Sequence, residues 1–154
     1  MSRASILKAR AMTATKPIPT AASWLGCAGL LPFGAAALAA LWPAAPLHAL
    51  ALPALLAYGA VILSFLGGIH WGLAMASAAP GTLPARLGFS VLPSLLGWVA
   101  LLLPPAAGLV LLAAGFAAML LLDLQSEATP VWYPRLRLPL SLGAMAALLL
   151  GLAA

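Results

Sequence analysis

Apolar residues run along this chain in five long blocks, at about 22–42, 50–76, 86–103, 105–123 and 135–153. Each is close to the roughly 20 residues that carry a helix across about 30 Å of hydrocarbon. Between them stand "WPAAPLH", "SAAPGTLPAR", "PP" and "SEATPVWYPR", all rich in helix breakers. The pattern predicts an all-α bundle of five transmembrane helices over 21–154, preceded by a basic tail over 1–20. The tight "LLPPAAG" link joins the third and fourth helices as a hairpin, and no internal repeat is evident. Pro53, Pro105 and Pro139 are expected within first turns, where a missing N–H costs little.

Composition agrees with the pattern. Hydrophobic residues make up 65% of the 154 and charged ones 6%, with a mean hydropathy of +1.15. Soluble domains spend about a quarter of their residues on charge. The net charge of +5 does not point to nucleic acid, because the seven Lys and Arg form no basic stripe with interleaved aromatics. The single cysteine, Cys27, excludes an internal disulfide and a Cys-based zinc motif, and is expected to be a small apolar filler.

The cations are placed by topology. With the N-terminus inside, Arg3, Lys8, Arg10, Lys16, Arg86, Arg135 and Arg137 all fall on the inner side and none outside. The expected arrangement is therefore N-terminus cytoplasmic and C-terminus periplasmic, in a bacterial inner membrane. The mitochondrial inner membrane is the alternative, since the acid-free tail also resembles a transit peptide. A cleaved signal peptide is less favoured, because the run from Ser23 to Trp42 exceeds the roughly 7–15 residues of such segments.

Candidate chemistry is sparse. In the second segment Ser64, Gly68 and Gly72 recur every four residues with Ala60 and Ala76, a spacing that lets another helix approach closely. His70 lies about 160° around from Gly68, on the face of Gly59, Leu63, Gly67, Ala74 and Ser77. It sits roughly 9 Å inside the inner end of its helix. Pro93 in the third segment frees the carbonyl of Phe89, and Ser90 and Ser94 flank the kink. These groups fall in one layer with His70, either as a polar site or as a kink healed by serine with a histidine satisfied locally.

Asp123 and Glu127 are the only carboxylates. Asp123 closes the fourth segment and is a candidate for an inner-side polar cluster with His70, Arg86 and Arg135. The "VWYPRLR" run reads as an interfacial belt. Trp132 and Tyr133 would lie at headgroup depth, and Arg135 and Arg137, with Arg86, toward lipid phosphates. Trp24, Trp42 and Trp98 read as anchors, and His48 as a solvated loop residue. His48 and His70 fall on opposite sides of the bilayer and cannot share a metal or haem. With no H-E-x-x-H, G-x-S-x-G or P-loop, the sequence is expected to be neither an enzyme nor a cofactor or metal binder.

"AYGAVILSFLGGIHWGLAM", "GFSVLPSLLGW" and "DLQSEATPVWYPRLRLPLSL", in that order, resemble the domain of unknown function shared by small bacterial membrane proteins and mitochondrial transmembrane protein 69. The resemblance covers about Trp24 to Leu149. It implies a compact five-helix membrane protein and supplies no activity, ligand or catalytic residue. Within it Ser64, Gly67, Gly68, His70, Trp71, Gly72, Pro93, Trp132, Tyr133, Arg135 and Arg137 are motif positions.

Three functions remain open, one of them anionic-lipid binding at the Arg86, Arg135 and Arg137 face. The first is a non-enzymatic scaffold or assembly partner that docks helices of itself or another protein along its small-residue seams. The alternative is a small proton- or solute-conducting carrier around His70 and the Pro93 kink, in an oligomer. Expected partners are the bilayer, including its anionic lipids, and a second copy or another membrane protein, but no nucleic acid.

Overall fold

The computed structural model describes residues 17–44, 46–77, 81–126 and 129–154, so the tail cations and Glu127 lie outside the described residues. Five helices follow one another: α1 Thr20–Leu41, α2 His48–Ser77, α3 Leu83–Leu102, α4 Pro105–Gln125 and α5 Tyr133–Leu150. A 3-10 turn over Gly151–Ala153 completes the chain. All five are long and apolar enough to span a membrane, and only two residues separate α3 from α4. The protein is a multi-pass membrane bundle. Large apolar side chains such as Trp24, Phe65, Trp98 and Leu142 point outward, as lipid-facing positions require.

Every helix except α4 begins two or three residues earlier than its apolar block. Pro105 is the first residue of α4, as expected. Pro53 and Pro139, by contrast, lie in the second turns of α2 and α5, because those helices start at His48 and Tyr133. Polar residues extend both helices past the hydrophobic boundary. His48 is thus helical rather than a loop residue, and its Nδ1 lies 3.2 Å from the Ala39 carbonyl oxygen. Cys27 faces outward and fills no core space.

Helix α2 is the centre of the bundle and packs against the other four. Its inward residues Leu55, Leu63 and Leu66 meet Leu109, Leu112 and Phe116 of α4 in one core. Phe33 of α1 stacks edge-on against Tyr58 of α2 at 4.9 Å and Phe116 of α4 at 5.8 Å. The Tyr58 hydroxyl donates to the Gly29 carbonyl at 3.0 Å, so this phenol is both packed and hydrogen-bonded.

Without a hydrophobic force between helices in lipid, close backbone approach drives their association. The α2–α3 contact has it at two places. A Cβ built on Gly67 would lie 2.5 Å from the Ser90 carbonyl oxygen, and one on Gly97 would lie 3.0 Å from that of Ala60. The seam inside this chain therefore runs through Ala60 and Gly67. It does not run through Gly68 and Gly72, where a built Cβ meets nothing within 4 Å. Ser64 is half-buried between the two faces. A four-residue period fits both faces, and only the position of α3 selects one.

A buried His–Asp–Arg triad

Three helices converge at the end of the bundle where α2 and α4 stop and α5 starts. Asp123, two residues before the end of α4, is only 1% exposed. His70 comes from about 10 Å inside the end of α2, and Arg137 from about 6 Å inside the start of α5. His70 Nε2 lies 3.0 Å from Asp123 Oδ1, and Arg137 Nε donates to Oδ2 at 2.7 Å. Both carboxylate oxygens are thus engaged by cationic or protonatable groups. An ionised carboxylate only accepts, so against it Nε2 carries the proton and Nδ1 is the nitrogen left to gain one.

Burial makes the pairing obligatory. Arg137 is 6% exposed, and an isolated buried charge would cost several kcal/mol, about 3–5 once its partner is removed. Three polar atoms on the same α5 stripe, Tyr133 Oη, Arg137 Nη2 and Ser141 Oγ, are buried with no partner among the described residues. The four-residue spacing of Tyr133, Arg137 and Ser141 aligns them one above another.

The expected polar site is rearranged. His70 and Asp123 do meet, but Ser90 donates to the Leu87 carbonyl at 2.7 Å, and neither it nor Ser94 joins the triad. A serine three residues past a carbonyl on its own helix finds that acceptor more cheaply than a side chain on a neighbouring one. The Arg in the cluster is Arg137 rather than Arg86 or Arg135, both of which are exposed. Arg137 is accordingly turned into the bundle rather than outward. Trp132 and Tyr133 are half-buried, with ring centroids 6.1 Å apart. The signal for Arg137 lay in its stripe: Ser141, Ala144 and Leu148 follow it inward, whereas Arg135 shares its side with outward Leu138, Leu142 and Leu149.

Two cavities flank the triad. On the His70 side, a vestibule of about 220 Å³ is lined by His70, Leu73, Ala85, Arg86, Phe89 and Ser126. On the Arg137 side, an apolar groove of about 380 Å³ runs between α1, α2 and α5, with Trp132, Tyr133 and Arg137 among its lining residues.

Residues 18–153 match the model of a family described as a protein of unknown function, DUF3429. The chain belongs to the DUF3429 family. It is also 41% identical over 130 residues to transmembrane protein 69 of Xenopus tropicalis, a match covering 80% of this chain and 50% of that protein. This DUF3429 chain thus spans about half the length of the curated relative it matches. No solved structure matches it. The five-helix architecture expected for DUF3429 is the one described above, and the matched region contains the whole triad.

Proposed function

We propose that this chain is a non-enzymatic protein of the bacterial inner membrane, with the mitochondrial inner membrane as its organellar counterpart. Its working part is the His70–Asp123–Arg137 triad, which handles a proton or small polar solute from the cytoplasmic side. The observation that carries this reading is a carboxylate 1% exposed, within a membrane span, held by a histidine beside a vestibule. Ionisable groups in such places are costly and generally functional. With Asp123 ionised and Arg137 charged, the triad is neutral while His70 is neutral and gains one charge when Nδ1 takes a proton. Arg86, also on the vestibule wall, keeps that side selective for anions or for protons moving without a metal cation. Flux through proteoliposomes carrying the full chain tests the reading. His70→Ala and Asp123→Asn should each remove most of it, and flux untouched by His70→Ala would remove the site from function.

A second reading, a helix-docking scaffold, is favoured by one observation: Gly68 and Gly72 present an open face that no helix among the described residues occupies. Replacing both with Ile should then abolish detergent-stable association while leaving the fold of the single chain intact.

A further inference from the structure

We propose that the groove between α1, α2 and α5 is a binding site for an acidic lipid, a long apolar chain ending in an anionic oxygen head. The chain would lie along Gly29, Phe33, Ile62 and Leu140, and the head would meet Tyr133 and Arg137. The inference goes beyond the proton-handling reading, since it needs Arg137 charged and the groove open, and does not need His70 to titrate.

Three observations converge. First, two residues of the groove wall carry buried polar atoms without partners among the described residues, Tyr133 Oη and Arg137 Nη2. Each such atom costs about 1–3 kcal/mol unless something hydrogen-bonds it.

Second, the polar side chains of the wall, Trp132, Tyr133 and Arg137, all offer N–H or O–H donors, and among the described residues no acid lines the groove. The Gly29 carbonyl on the same wall already accepts from Tyr58. Such a mouth matches an acceptor head, and Arg137, whose Nε is held by Asp123, still has Nη2 to offer an anionic oxygen.

Third, size and lining fit one hydrocarbon tail. At about 380 Å³ the groove is near the lower end of small-molecule pockets, which span about 300–1,000 Å³. That accommodates one chain and not the whole of a two-chain lipid.

The test uses the purified full chain in mild detergent, read by native mass spectrometry before and after delipidation, then with palmitate or phosphatidylglycerol added back. Gly29→Leu puts a bulky side chain into the groove, and its Cβ meets among the described residues only Tyr58 Oη at 3.8 Å. Tyr133→Phe removes one donor and no volume. The wild type should retain or rebind an acidic lipid. Tyr133→Phe should weaken that binding about tenfold or more, as expected for one hydrogen bond to a charged head. Gly29→Leu should abolish it. Rebinding of palmitate alone identifies a free carboxylate, and of phosphatidylglycerol alone a phospholipid head; either supports the site. No binding of either lipid by the wild type overturns it, as does binding that survives Gly29→Leu or is unchanged in Tyr133→Phe. Because neither variant touches His70 or Asp123, the flux reading stands or falls separately.

Discussion

Two adjacent glycines on α2 should respond to the same substitution with opposite signs. A Cβ on Gly67 would lie 2.5 Å from the Ser90 carbonyl oxygen and 3.3 Å from Cβ and Cγ of Pro93, where ordinary contact begins at 3.4 Å. The closest obstacle is backbone, held in place by the helix of α3, so relief requires α3 to retreat by most of an ångström. Overpacking of this kind costs about 1–3 kcal/mol, and an unyielding obstacle puts it near the top of that range. Replacing a helical glycine by alanine returns about 1 kcal/mol. Gly67→Ala should therefore destabilise by about 1–2 kcal/mol. At Gly68 the same Cβ meets nothing within 4 Å, so only the gain remains and Gly68→Ala should be neutral or stabilising by up to about 1 kcal/mol. Reversible unfolding in mixed micelles, titrated with a denaturing detergent, reads both variants under one condition. Equal effects at the two positions would refute the assignment of the α2–α3 seam to Gly67.

Asp123→Asn should destabilise by about 3–5 kcal/mol in the same titration, because it leaves the Arg137 guanidinium buried without its countercharge. The pair Asp123→Leu with Arg137→Met should recover most of that loss; a double variant as unstable as the single one would show that the shape of the triad matters more than its charge. Tyr58→Phe should cost about 0.5–1.5 kcal/mol through loss of the 3.0 Å bond to the Gly29 carbonyl, and no loss would mean that carbonyl is already satisfied within α1. Phe33→Ala should cost about 3–5 kcal/mol, since Phe33 is 2% exposed and touches two rings, and a smaller value measured by the same assay would mean α1 collapses into the space.

The spans could be read from the sequence because bilayer thickness sets a length that depends on neither register nor neighbours. His70 and Asp123 were legible for a related reason: an ionisable group in an apolar helix has few ways to be satisfied. The partner was not legible in the same way. Arg135 and Arg137 sit two apart in "YPRLRLPL", nearly opposite each other on a helix, and which one turns inward depends on where α5 meets α4. The glycines failed likewise. Gly67 and Gly68 belong to stripes of similar composition, and only tertiary packing decides which stripe is occupied. Ser90 was misassigned because a kink suggests an unmet carbonyl at Phe89, while the hydroxyl had a nearer acceptor in Leu87.

The triad also bears on how the molecule is made. Its acid belongs to α4 and its permanent cation to α5, the next helix to leave the ribosome. Until α5 arrives, the one partner of that acid among the described residues is His70. Entry of α5 brings the Arg137 guanidinium that makes a neutral pair with Asp123, so the acid of α4 is fully compensated only once α5 is in place.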